Sequence, residues 1–431
     1  MRLRTAPVLL SLWALSLGWA GSATGQADTT GRRDTTIADT IRVRPRPPGT
    51  LNLNEEAQAR VDNLPLDPTL AGYVPIPGIG AGFRLGGYAR LDAMRDFQPA
   101  GARDYFVTSS IPVDEERVKG EGGSFNMHIR QTRLTLDVRR EVGSETQRAF
   151  FEVDLFGTDG STALRLRHAY VQVYNLLVGQ TYTTFMDIDA LPDGVDFEGP
   201  PSGVFLLQPV VRYTVPVGRT TSLAFAAEYP RSEVTVTDSA TTVLGRWPDL
   251  VAQGRVDGTW GSFQAAAVLR DLGYDDKVEG RNRVPGYGLS LTSTVGTFGG
   301  DNLKLGVVGG RGIARYVSDV SGLGMDGAPG EEPLEAVPLY GGYAAYQHFW
   351  SPKFRSSLIG GVLQADNTAG QDADAFHRSA YGGVNLMWQA ANLASFGVEF
   401  LYGYHQVKDG RDGWASRLQF AVQLDLYRGS R

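Results

Sequence analysis

Residues 417–427 alternate without a break. Leu418, Phe420, Val422, Leu424 and Leu426 fall on one side, and Arg417, Gln419, Ala421, Gln423 and Asp425 on the other. A period of two is the mark of a β-strand with two unlike faces. About ten such residues, tilted, cross a bilayer. One such segment also fits a half-buried strand of a soluble sandwich. Here the pattern recurs along the chain behind an export signal. The expected fold class is all-β: a transmembrane antiparallel β-barrel with a wet interior.

The export signal is the N-terminus itself. Met1-Arg2-Leu3-Arg4 precedes an apolar run over 6–20 and then small residues. That order is a charged region, a hydrophobic region and a cleavage zone. Gly25-Gln26-Ala27 is the favoured site, making 1–27 a signal peptide, with cleavage after Ala23 as the alternative. No other apolar run is long enough to span as a helix. The chain has no Cys, so it uses no disulfide or thiolate metal site. Its 5 His include no His-x-x-x-His, so neither a zinc site nor any cofactor is expected. Mean hydropathy is −0.19, a value that would suggest solubility. A barrel wall escapes such averages because lumen and lipid faces alternate. The 54 Gly and the 7 Trp, 18 Tyr and 19 Phe suit turns, close strand packing and interfacial girdles. A net charge of −6 says little about partners, and none of them is expected to be nucleic acid.

Residues 28–82 do not read as barrel. Thr, Asp, Arg and Pro dominate 28–50, which suits a solvated periplasmic linker. Residues 51–64 suit a short helix with Asn54 as N-cap, ended by Leu64-Pro65. The barrel is expected over 83–431. Leu134, Leu136 and Val138 oppose Arg133, Thr135 and Asp137; Phe263, Ala265, Ala267 and Leu269 oppose Gln264, Ala266, Val268 and Arg270. Longer polar gaps at 98–123, 271–283, 318–336, 366–378 and 407–413 alternate with short turns. Short turns on one rim and long loops on the other is the outer-membrane plan. The length admits about sixteen strands, an even number being expected; fourteen or eighteen also fit the pattern.

Residues 184–208 stand apart. Asp187, Asp189, Asp193, Asp196 and Glu198 lie there among aromatics and before Gly199-Pro200-Pro201. By count the segment follows the fifth strand, where general porins fold a loop inward to narrow the pore. Several blocks resemble the DcaP-like trimeric porins. These are Tyr73-Val74-Pro75-Ile76-Pro77-Gly78, Gly86-Gly87-Tyr88-Ala89-Arg90-Leu91-Asp92-Ala93, Arg130-Gln131-Thr132-Arg133-Leu134, Leu164-Arg165-Leu166-Arg167-His168-Ala169-Tyr170, Val178-Gly179-Gln180-Thr181-Tyr182-Thr183-Thr184-Phe185-Met186-Asp187 and Pro209-Val210-Val211-Arg212-Tyr213-Thr214. The resemblance covers 73–215. It implies a homotrimeric outer-membrane porin, set among outer-membrane lipids, that passes small hydrophilic solutes, often anions such as dicarboxylates. Some members carry an N-terminal coiled coil, but no sustained heptads occur here.

Physical reasoning on the arginines is compatible. An Arg facing lipid at mid-bilayer costs about 2–4 kcal/mol. Arg90, Arg130, Arg133, Arg165, Arg167 and Arg212 are therefore expected in the lumen or at a rim. Facing the loop carboxylates, they would set a transverse field; alternatively they anchor the loop by pairing with it. Arg165 and Arg167 share parity with the apolar Val171 and Val173. Either a bulge flips the register or they lie above the membrane. The competing classes are a structural or adhesin barrel and a barrel hydrolase. His128 and His168 lie in strands, but no Gly-x-Ser-x-Gly stands beside them, so an enzyme is not expected.

Overall fold

The structure, a computed structural model, describes residues 73–76, 78, 80–113, 123–142, 145–157, 160–235, 240–242, 245–276 and 280–426. The expected signal peptide, the short helix and most of the linker lie outside these residues.

Sixteen antiparallel strands form a closed barrel. They are β1 (Ala81–Asp96), β2 (Arg133–Val142), β3 (Glu145–Asp154), β4 (Arg165–Val173), β5 (Leu176–Tyr182), β6 (Leu207–Val217), β7 (Thr221–Glu228) and β8 (Asp249–Gly258). They continue as β9 (Gly261–Asp276), β10 (Gly280–Gly296), β11 (Asn302–Arg311), β12 (Pro338–Ser351), β13 (Phe354–Ala365), β14 (Phe376–Ala391), β15 (Ala394–Val407) and β16 (Asp412–Asp425). Strand β16 pairs back onto β1, from Tyr88↔Asp425 to Asp96↔Arg417. Closure leaves no unpaired edge in the membrane, which lipid would not tolerate.

The sequence period becomes the two faces of the wall. In β16, Ala415, Arg417, Gln419, Ala421 and Gln423 are buried inward, while Trp414, Phe420 and Leu424 are exposed outward. Trp350, Trp388 and Trp414 are exposed near strand ends, where interfacial aromatics belong. Val384, mid-way along β14, points outward with 49% exposure. A Val384→Arg variant is expected to lose about 2–4 kcal/mol of unfolding free energy in lipid vesicles. A loss below about 0.5 kcal/mol would place this face out of lipid.

Connections alternate in length. Tight turns such as 174–175, 352–353 and 392–393 lie at one rim, the periplasmic one by the outer-membrane plan. At the first of these Tyr174 has φ 52, the positive value that a two-residue hairpin demands. Long segments (starting at 97, 183 and 312) leave the opposite rim.

One expected loop is strand instead. Within 271–283, β9 runs to Asp276 and β10 starts at Gly280. Cross-strand pairs Arg283–Asp271 (2.6 Å) and Arg281–Asp275 (3.0 Å) hold this extension. One face of the extension is buried, Leu272 fully and Tyr274 against Val234 and Leu334, while the charged pairs line the other, so the polar residues mark a paired hairpin and not loss of strand.

The lumen carries an apolar core. Phe185, Met186, Ile188 and Val204 pack with Tyr316, Val317 and Val320, and against Leu177, Val210, Val268 and Val308 of the wall.

Candidate constriction site

Residues 183–206 leave β5 and run around the inside of the wall. Their local turns come from Asp side chains that bond their own backbone. The Asp187 carboxylate accepts the Asp189 N–H (3.1 Å), and Asp196 accepts those of Glu198 (3.0 Å) and Gly199 (3.3 Å). Gly199, at φ 74, makes the reversal that leads into Pro200-Pro201.

The wall then fixes the loop strand by strand. Arg255 of β8 meets Asp187 at 3.0 Å and Asp189 at 2.8 Å. Gln264 of β9 donates to the Met186 carbonyl (3.0 Å), and Thr292 of β10 to the Asp187 carboxylate (2.7 Å). Lys304 of β11 donates to the Leu191 carbonyl at 2.7 Å. Asp193 accepts from Gln347 of β12 (2.6 Å) and from Arg355 of β13. Asn385 of β14 donates to the Asp193 carbonyl, and Glu399 of β15 accepts the Val195 and Asp196 amides, each at 2.7 Å. Gln419 of β16 and Arg90 of β1 both donate to the Val195 carbonyl, at 3.4 and 2.6 Å.

Two further segments enter the lumen. Phe106 and Ile111, from 97–113, pack against Ile359, Tyr381, Leu401 and Ala415 of the wall. From 312–337, Tyr316 gives its carbonyl to the Phe205 amide (3.1 Å), and Val317 bridges to Val204. Asp319 ties these two segments together, accepting from the Thr108 hydroxyl (2.8 Å), the Ser109 amide (3.1 Å) and Ser379 of β14 (2.9 Å).

Opposite the pinned loop, the β1–β4 wall carries a ladder of guanidiniums. Near the periplasmic rim Arg148, Arg139 and Arg84 surround Asp137 at 2.9, 3.2 and 3.7 Å, and the Tyr73 hydroxyl donates to the same carboxylate. Midway, Glu152 takes Arg167 (2.7 Å) and Arg133 (3.7 Å). Towards the outer rim Asp154 takes Arg165 (2.7 Å) and Arg167 (3.3 Å), and Arg130 pairs with Asp104. At the strand rise, the Arg133–Arg139 step alone covers about 20 Å of wall. Guanidiniums outnumber carboxylates along it. Arg212 of β6 is also buried and inward, in register with Leu177 and Ala226.

A bulge solves the parity of Arg165 and Arg167. Glu152 pairs with His168 but Val153 pairs with Leu166, so β4 carries an extra residue. Leu166 is exposed outward while Arg167 and His168 are both fully buried. The two histidines serve packing. His128 bonds the Asp104 carbonyl (2.9 Å), and His168 bonds the Thr181 hydroxyl (3.0 Å) with its ring 4.7 Å from that of Tyr182.

The loop returns to the ladder at an aromatic cluster. Phe197 contacts Phe156 (5.2 Å), Phe205 (5.7 Å) and Tyr105 (6.4 Å). Arg130 and Arg165 lie over Phe156 at 4.8 and 5.1 Å, and Arg167 lies 5.8 Å from Phe197. Cation–π contact holds these guanidiniums in place without neutralising them. Glu198 follows Phe197. Burial, with Asp196 and Asp319 nearby, pushes its carboxyl up to about 8. Burial also raises Asp196 and Asp319.

Of the loop carboxylates, Asp187, Asp189 and Asp193 therefore turn to the far wall and Asp196 to backbone amides, while Glu198 lies near Asp196 and Asp319. Arg90 anchors the loop through a carbonyl rather than a carboxylate.

The DcaP outer membrane protein family matches residues 52–238. Over that span the chain is similar to this family. The matched span includes β1–β7, the arginine ladder and the inward loop; β8–β16, which supply Arg255 and Arg355, lie beyond it. The outer membrane channel DcaP of Acinetobacter baumannii has the same fold, with a TM-score of 0.71 at 22% identity over 84% of this chain and 100% of that one. An anion-selective porin from Comamonas acidovorans matches at TM-score 0.55 and 9% identity, over 80% and 100% of the two chains. OmpT, an outer membrane protein of Vibrio cholerae, matches at 0.52 and 10%, over 82% and 99%. These likenesses show a porin-type barrel. A comparison with curated proteins found no match. The chain is an outer-membrane protein.

The sequence reading missed Arg255, Arg355 and Glu399, and the inward course of 97–113 and 312–337. Strand parity is the signal that could have found Arg255 and Glu399, which are buried inward in β8 and β15; nothing local marks their partners.

Proposed function

We propose that this barrel is a passive diffusion channel for small hydrophilic anions, dicarboxylates above all, assembled as a homotrimer. The carrying observation is the charge arrangement. The acidic loop is held by Arg255, Arg355 and backbone amides on one side, which sets its Asp187, Asp189 and Asp193 carboxylates apart from the guanidinium ladder on the other. An excess of fixed positive charge along a low-dielectric wall concentrates anions and speeds their entry. Conduction needs only weak successive sites, and a ladder of partly paired guanidiniums supplies them. Two carboxylates on one solute suit neighbouring rungs. The anion-selective porin from Comamonas acidovorans, which shares the fold, supports the sign of this reading, and the trimer form recorded for OmpT of Vibrio cholerae supports the assembly.

Arg165, with a side chain 39% exposed, is the rung most open to solution, and Arg130 stands beside it over Phe156. Replacing both by Gln is expected to shift the reversal potential in a salt gradient towards cations and to slow dicarboxylate uptake into proteoliposomes. If both readouts keep their starting values in a folded variant, the ladder is scaffolding and the anion reading fails.

A further inference from the structure

We infer that the outer rim of the wall from β8 to β14 binds the phosphate groups of lipids in the outer leaflet, with Arg311 as the central contact. The inference rests on the outer-membrane location of the chain and not on the solute that crosses it.

The outward face of β10 marks where hydrocarbon gives way to headgroups. Leu291 and Leu289 are exposed there, Tyr287 follows at 51% exposure, and Arg283 stands further up the strand. Apolar side chains, then an amphipathic ring, then charge is the order that a membrane boundary imposes. Arg311 ends β11 at the level of Tyr287, with which it is in direct register. Leu305 and Val307 are exposed on the lipid side of β11, and Arg311 keeps their parity. Its exposed guanidinium therefore points out of the barrel and not into the lumen. Tyr340 of β12 is exposed on its other flank, with its hydroxyl given to Asp366 at 3.1 Å. Arg311 itself has no ion pair among the described residues.

The neighbours carry the same sign. Arg283 and Arg246 share one carboxylate, that of Asp271, at 2.6 and 3.5 Å. Arg281 pairs with Asp275 above them. Arg378 of β14 is exposed and lies 5.9 Å from the Tyr404 ring. The planar fork of a guanidinium matches phosphate oxygens, and an anionic leaflet draws each such group to its surface. The rim around β2–β4 is unlike this sector: Leu134, Leu164 and Leu166 are the exposed side chains there. The basic and aromatic belt is thus confined to one side of the barrel. A second copy of this chain, offering an acidic surface, is the competing occupant.

Native mass spectrometry of the detergent-purified protein tests the inference. The probes are a phosphorylated lipopolysaccharide without O-chains, the same lipid after dephosphorylation, and inorganic phosphate. Wild type is expected to retain the phosphorylated lipid at least about fivefold better than the dephosphorylated one. Arg311→Gln should lose most of that margin and Arg311→Lys keep most of it. The side chain lies outside the lumen, so Arg311→Gln should conduct like the parent, which also certifies its fold. Equal retention of the two lipids by wild type overturns the inference without any variant. So does an Arg311→Gln variant that holds the phosphorylated lipid as well as the parent. Displacement of the lipid by an equal concentration of inorganic phosphate would reduce the site to one for free phosphate and overturn it too. A variant that keeps the lipid but forms smaller oligomers would assign this face to a second copy.

Discussion

A barrel lacking residues 188–203, with both flanking strands kept, conducts several-fold more current per channel than the intact protein. This is the expected result if the loop is the main obstruction. A sixteen-stranded wall encloses enough space for an aqueous channel. The loop occupies it by bonding to inward side chains from β8 round to β1. The deletion spares Phe185, Met186 and Val204, so much of the apolar packing beneath 312–337 survives. The Ser318–Gly203 backbone bond is lost, which further loosens the segment facing the loop. Single-channel recording measures the change. Equal or lower conductance in a folded deletion would mean that ions pass where this loop does not reach.

Arg355→Met is expected to destabilise the seated loop by about 3–5 kcal/mol, the usual penalty for stranding one partner of a buried ion pair. Asp193 is almost fully buried and would keep Gln347 as a neutral donor. Adding Asp193→Asn removes the stranded charge and should recover most of the loss, since the pair counts for less than its broken half costs. Urea unfolding gives the energies. Single-channel traces give a second readout, because a loop loosened at its middle should flicker between conductance levels. A single variant as stable and as quiet as the parent would make Arg355 dispensable to the loop.

The wall was legible in the sequence and the lumen only in part. Alternation such as Leu134, Leu136 and Val138 against Arg133 and Asp137 follows from a physical demand that holds along a strand, lipid on one side and polar lumen on the other. Where the demand lapses, the reading failed. At 271–283 the buried face packs on inward segments such as Val234 and Leu334 and not on lipid, the charged residues dominate the pattern, and a paired hairpin resembled a loop. Arg165 and Arg167 broke parity, and the conflict itself pointed to the bulge. The loop acids were legible, but their partners were not. Arg255 and Asp187 are 68 residues apart and Arg355 and Asp193 162, with no local pattern linking them. The inward turn of 97–113 and 312–337 rests on contacts such as Asp319 with Thr108, made between two segments that each read as polar outer loops.

The wide reach of the loop's attachments bears on how the protein is made. Val195 is held by Arg90 and Glu399, 105 residues before it and 204 after. Neither attachment site stands in its final place until β16 has zipped onto β1. Seating the loop is thus a last act of maturation, after the wall has sealed. Contacts so distant along the chain form slowly, because chain entropy must be surrendered before they reward it. A newly inserted barrel would pass through a wide, leaky stage before it acquires its selectivity.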